Sequence, residues 1–215
     1  SCHPYTLGHA HQDSGGIVLF HKGRRIVIDT GRKRYLDVTQ GGKGKEWFGH
    51  SMLVVDDINP FVTSRGFYSS RYLIDISKEA PVFCVEDDHT IVIKNHGYER
   101  IRGVGCHQRS VCIQEKTIKI SDSVDGKGKH DLTILFHLPY QVKKIADGYE
   151  FIVEDEKYLI QIPNNVTYSN VMYGSESLLS TASDIYGSEY DISTIVCKVS
   201  VYLPWKCETV IRFEG

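Results

Sequence analysis

Two imidazoles and a carboxylate stand close together in Gly8-His9-Ala10-His11-Gln12-Asp13, and a second carboxylate, Asp29, closes the run Arg25-Ile26-Val27-Ile28-Asp29. On an extended strand alternate side chains share a face, so His9, His11 and Asp13 project together. Paired imidazoles on one face are the minimum for a metal site or a proton-transfer site. The same spacing also suits two histidines that are merely hydrogen-bonded within a sheet. Asp13 precedes Ser14-Gly15-Gly16, where an aspartate can either form a turn or support a histidine. Arg32 and Tyr35 follow Asp29 closely enough to contact a bound substrate, or to lie exposed without function. His107 and Arg109 share a strand face and read as sheet packing or a salt bridge before substrate contact. His137, inside Leu135-Phe136-His137-Leu138, reads as a buried, hydrogen-bonded histidine.

The elements that must hold these groups are strands. Nearly every segment alternates with period two and is rich in Val, Ile, Thr and Tyr, the pattern of strands with one face in a core. Residues 16–21 and 25–28 flank the turn Lys22-Gly23-Arg24 as a hairpin, and residues 148–153 and 158–162 do the same around 154–157. Further strands are expected at 52–55, 72–76, 82–86, 90–94, 132–138, 192–203 and 209–213, with the longest single alternating stretch at 109–120. No segment sustains an apolar stripe of helical period, so little or no helix is expected. This many short-turn antiparallel strands hide their inner faces by stacking, which predicts an all-β, large two-layer antiparallel β-sandwich.

At 215 residues, without a linker or internal repeat, the chain reads as a single domain over 1–215. Its 25 basic and 27 acidic residues leave a net charge of −2, which provides no electrostatic case for nucleic acid or an anionic membrane as principal partner. No run is long and apolar enough for a helical membrane span, and the N-terminus lacks the character of a signal peptide. The six cysteines lack CxxC spacing and fall mostly in apolar runs, so buried thiols are expected rather than a disulfide framework. The stretch 40–45, Gln-Gly-Gly-Lys-Gly-Lys, reads as a solvated basic loop or a polyanion contact.

Taken in order, the G-H-x-H-x-D segment, the hairpin, Ile28-Asp29-Thr30-Gly31 with Tyr35, and Gly49-His50-Ser51-Met52-Leu53-Val54-Val55-Asp56 resemble the β-sheet domain of the heparinase II/III family of bacterial polysaccharide lyases. The resemblance continues through His107-Gln108-Arg109-Ser110-Val111, Ile120 to Gly126, Leu135 to Pro139 and Ser183-Asp184-Ile185-Tyr186-Gly187, and so spans nearly the whole chain. In that family an N-terminal helical toroid is joined to this kind of sandwich and the substrate lies between them. The resemblance therefore implies that this chain is a fragment of a longer enzyme, missing its helical partner domain.

Carried over residue by residue, the resemblance places His9 as the catalytic histidine of the sandwich, and His11, Asp29 and His50 as holders of a structural zinc. It implies β-elimination beside the uronic acid of an acidic polysaccharide, of the heparin, heparan sulfate, alginate or capsular kind. The tyrosine acting as acid or base belongs to the toroid in this family, so the chain alone is expected to be inactive or nearly so. A periplasmic or secreted location follows from the resemblance, and a homodimer stays open. Two rival readings are a non-catalytic carbohydrate-binding or assembly module of the same fold, and a cupin-type metalloenzyme. Cupins need a glutamate soon after the second histidine, and here the next is Glu46.

Overall fold

The computed structural model describes residues 11–32, 44–61, 81–174, 177 and 179–214. Two antiparallel sheets are stacked. The larger has eight strands in the spatial order β4 (Val82–Asp87), β5 (Thr90–Asn95), β6 (Val104–Gln114), β7 (Thr117–Gly126), β16 (Trp205–Glu214), β11 (Glu156–Gln161), β10 (Gly148–Val153) and β9 (Lys143–Ile145). The smaller runs β12 (Tyr168–Tyr173), β15 (Ser193–Tyr202), β8 (Lys129–Leu138) and β3 (Leu53–Val55). Two small ribbons complete the fold, β1 (Leu19–His21) with β2 (Arg24–Val27) and β13 (Thr181–Ala182) with β14 (Tyr190–Asp191). Helix among the described residues is limited to 3-10 turns at Trp47–Gly49 and Gly97–Arg100, and none is long and apolar enough to cross a membrane.

Period-two alternation explains the layering. Along β7, Ile118, Ile120 and Val124 point inward and meet Leu132, Ile134 and Phe136 of β8 and Ile195, Cys197 and Val199 of β15 in one apolar core. Each fully buried Leu, Ile or Phe contributes about 1.5–3 kcal/mol of transfer free energy, so this interface dominates the stability. Strand β8 departs from simple alternation, because every residue from Leu132 to Leu138 is buried. Its outer face is covered too. Thr133, Leu135 and His137 on that face are buried, while along the strand's edge Ile28 N–H donates to His137 O at 2.9 Å and Leu135 N–H to Met52 O at 2.9 Å. A continuous apolar run is the pattern of a strand covered on both sides.

The β1–β2 turn forms as expected, with Lys22 at φ 50° and Gly23 at φ 78°, the backbone twist of a tight primed turn. Lys22 and Arg24 then reach Glu156 and Glu154 and fasten this hairpin to the β10–β11 turn. The stretch 109–120 is two strands instead of one, because the chain reverses at Glu115–Lys116 between β6 and β7. Strand β6 also carries a bulge: Val104 opposes Gly126 and His107 opposes Val124, so Gly105 and Cys106 together face Asp125. The thiols are more varied than expected: Cys197 is buried, Cys106, Cys112 and Cys207 are partly buried, Cys84 is exposed, and all five are free. The strand expected at 72–76 and Cys2 lie outside the described residues.

Candidate functional site

The segment leaving β2 passes directly beside the one leading into β3. Ile28 N–H bonds to His137, Ser51 Oγ donates to Ile28 O at 2.9 Å, and His137 N–H donates back to Ser51 Oγ at 3.0 Å. One residue further on, Thr30 N–H donates to Gly49 O at 2.9 Å. Asp29 is thus held between Ile28 and Thr30, and His50 between their partners Gly49 and Ser51. Their side chains are brought together as a result. His50 Nδ1 lies 3.2 Å from Asp29 Oδ2, with the His50 side chain 1% exposed and that of Asp29 35% exposed.

His11 enters from the third side. Gln12 N–H donates to Lys45 O at 2.7 Å, and the Gln12 side chain accepts from Phe61 N–H at 2.9 Å. This tethering sets the His11 ring against His50, with centroids 5.3 Å apart and planes tilted by 45°. In the turn that follows, Gly16 N–H donates to Asp13 O at 2.8 Å, and a Cβ on Gly16 would meet that oxygen closely at 3.0 Å and stand in ordinary contact with His50 Cβ at 3.6 Å. Burial pushes the His11 imidazole below its ordinary value, and His50 adds to this. The neutral ring is the form that ligates a metal or accepts a proton.

The contact between His50 and Asp29 lacks hydrogen-bond alignment. Both ring nitrogens of His50 and Oδ1 of Asp29 are buried without a hydrogen-bond partner among the described residues. Leaving such groups unsatisfied costs about 1–3 kcal/mol each, so an arrangement of this kind calls for a further partner. Two imidazoles and a carboxylate form a donor set that zinc accepts, with a fourth position left for water. The set is open: the described group whose ligand atoms all lie within 4.8 Å of one another is His96, Glu99 and Cys106. Closing His11, Asp29 and His50 around an ion requires the His11 ring to approach the other two.

Positive charge borders these residues. The Lys45 ammonium is pushed below its ordinary value by burial first and by the Arg32 guanidinium second, and its charge also acts on His11. Arg32 packs beside Gly44, the neighbour of Lys45: a Cβ added to Gly44 would lie 2.9 Å from Arg32 Cβ. Gly31, between Asp29 and Arg32, takes φ 64° and packs against Ser183, whose carbonyl oxygen would lie 2.1 Å from any Cβ added there. Catalytic candidate His9 and contact candidate Tyr35 lie outside the described residues.

Beneath the site runs a buried ion pair. Arg109 and Asp122 face each other across β6 and β7, and both side chains are fully buried. Arg109 Nε and Nη2 donate to the two Asp122 oxygens at 2.8 Å each, and His107 Nε2 lies 2.9 Å from Oδ1. The remaining donor is aimed at the site's scaffold: Nη1 donates to Gly15 O at 2.8 Å and to Ser51 O at 3.2 Å. Burial would raise the Asp122 carboxyl, but Arg109 and His107 outweigh it and hold the group well below the usual carboxylate range. Sequence reasoning anticipates a salt bridge here but misses that it carries the loops of His11 and His50. Ser51, which also accepts Ile17 N–H at its carbonyl, is missed altogether. His137 is buried with Nδ1 2.9 Å from Thr194 Oγ1, as its apolar surroundings indicate.

Residues 1–206 match a family model described as heparinase II/III-like, C-terminal. Among solved structures, a heparan sulfate lyase HepC mutant from Pedobacter heparinus aligns at 18% identity over 96% of this chain and 31% of its own, with a TM-score of 0.71. A structure titled heparinase III aligns at 14% identity over 98% of this chain and 30% of its own, with a TM-score of 0.72. At these identities the likeness establishes the fold. The chain spans about a third of the length of these structures. No curated protein matches the sequence.

Proposed function

The chain belongs to the heparinase II/III-like C-terminal family, and from that premise we propose that it is the sandwich portion of a polysaccharide lyase acting on a uronic-acid-containing glycan. The observation that carries the reading is the convergence of Asp29 and His50, their buried polar atoms unsatisfied, beside His11 and the cations of Arg32 and Lys45.

Cleavage beside a uronate by β-elimination needs three things: neutralisation of the carboxylate, removal of the C5 proton, and protonation of the leaving glycosidic oxygen. His9, two residues before His11, is the proton-handling group this chain supplies, or it neutralises the carboxylate. Positioned acid–base groups add about 10²–10⁴-fold in rate. Arg32 and Lys45 attract the acidic polymer to this face, and Arg32 and Tyr35 are placed in sequence to contact it. His11, Asp29 and His50 would hold the zinc. A zinc ion there would supply a fixed positive charge two residues along the sequence from His9. The remaining catalytic groups come from an N-terminal helical domain of the same polypeptide, and the enzyme acts in the periplasm or outside the cell.

The test is turnover of uronic-acid polysaccharides by the complete polypeptide, followed by the ultraviolet absorbance of unsaturated uronides. The reading predicts activity that drops by at least about 10²-fold in His9→Ala. Full activity in His9→Ala removes the catalytic assignment, and a complete polypeptide inert on every uronic-acid polymer overturns the function.

A further inference from the structure

A second set of ligating side chains lies at the 3-10 turn Gly97–Arg100 and the bulge of β6. Cys106 Sγ, a carboxylate oxygen of Glu99 and a ring nitrogen of His96 all fall within 4.8 Å of one another, and His96 Nδ1 is 2.6 Å from Glu99 Oε1. We propose that His96, Glu99 and Cys106 form a second metal site, built for zinc or a zinc-like divalent ion.

Each part of the local structure serves this arrangement. The bulge places Gly105 and Cys106 together opposite Asp125 and restores the inward phase only at His107, so the thiol faces outward toward the turn while the neighbouring imidazole is buried. The turn itself is locked. Asn95 Oδ1 accepts Gly97 N–H at 2.9 Å, Gly97 packs so tightly on Pro60 O that a Cβ would lie 1.9 Å from it, and Arg100 donates to Pro60 O at 2.9 Å and also to Asn59 O and Gly97 O. His96 and Glu99 therefore leave a rigid backbone, the condition under which a ligand set binds without first being ordered.

The chemistry of the donors selects the ion. A thiolate excludes calcium and magnesium, which take oxygen ligands, whereas sulfur, imidazole nitrogen and carboxylate oxygen together suit zinc and cobalt. Zinc bonds of about 2.0–2.3 Å in tetrahedral geometry set ligand atoms roughly 3.4 Å apart. The His96–Glu99 contact would open slightly and Cys106 would close in, both within side-chain rotation. Burial first, then Glu99 and Asp125, push the Cys106 thiol above its ordinary value, with Lys94 opposing; the two carboxylates that disfavour a bare thiolate would favour a positive ion beside it. Three protein ligands leave a fourth position for water. Bound there, the metal would staple the turn to β6.

The test is titration with Co²⁺, whose thiolate charge-transfer absorption in the near ultraviolet reports sulfur ligation, in a His50→Ala background that removes the other candidate ligand set. The proposal predicts one charge-transfer site per chain, displaced by Zn²⁺, abolished in Cys106→Ala and retained in Cys84→Ala. His96→Ala should weaken Co²⁺ binding by more than about tenfold. In the unmutated protein, which avoids any folding defect, Zn²⁺ should slow alkylation of Cys106 and leave that of Cys84 unchanged. Absence of the charge-transfer band, its persistence in Cys106→Ala, or alkylation of Cys106 at the same rate with and without Zn²⁺ would overturn it.

Discussion

Replacing Arg109 with methionine removes the cation from a fully buried pair and keeps most of the side-chain volume. Asp122 is then left in the interior with His107 as its side-chain partner among the described residues, and the carbonyls of Gly15 and Ser51 lose their shared donor. Breaking one side of such a pair costs about 3–5 kcal/mol. For a domain of this size that is a fall in Tm of roughly 6–20 °C. The assay is urea unfolding at neutral pH on wild type, Arg109→Met, Asp122→Leu and the double variant. A buried pair replaced on both sides by apolar groups is close to neutral, so the double variant should recover most of what the Arg109→Met change alone loses. What it does not recover measures the Gly15 and Ser51 bonds. The pH dependence has a definite sign. Asp122 is held below its unfolded value, so the wild type gains stability above the unfolded carboxylate pKa near about 3.9 and loses it as pH falls below that. Without Arg109, burial instead raises the carboxyl, and the gap between wild type and variant should narrow in acid. A cost under about 1 kcal/mol for Arg109→Met, strict additivity in the double variant, or a gap that widens in acid would refute this reasoning.

Other substitutions probe the frame. Gly31→Ala puts a Cβ 2.1 Å from Ser183 O at φ 64°, and should cost more than about 1 kcal/mol in urea unfolding while displacing Asp29; wild-type stability would show that the Gly31–Ser183 approach is not tight. Phe136→Ala opens a cavity between the two sheets and should cost about 3–5 kcal/mol in the same assay, with an unchanged m-value. A loss under about 1 kcal/mol would mean that Phe136 does not sit in the load of the core.

The sandwich is legible in the sequence because alternation and turn chemistry act locally. Lys22-Gly23 marks its hairpin through a residue that accepts positive φ, whereas Glu115-Lys116 carries no such residue and is read through as a single long strand. Strand β12 is missed for a different reason: Tyr168–Tyr173 is an edge strand whose residues are all exposed or partly so, and burial imprints no pattern on it. The site is legible only as a set of residue types brought into order by family resemblance. The weave of Ile28, Thr30, Gly49 and Ser51 that joins Asp29 to His50 consists of backbone and hydroxyl bonds, for which Ser51 leaves no distinctive mark. The link from Arg109 to Gly15 and Ser51 spans distant parts of the chain and depends on register, which single-strand patterns do not encode.

The central claim is that Asp29 and His50, with His11, form a metal-binding site. The most direct measurement is the zinc content of the purified protein and of its His50→Ala and Asp29→Ala variants, with folding of each checked by circular dichroism. The account predicts that either substitution removes one equivalent of zinc per chain from an otherwise folded protein. Zinc content identical in the wild type and both variants would contradict it.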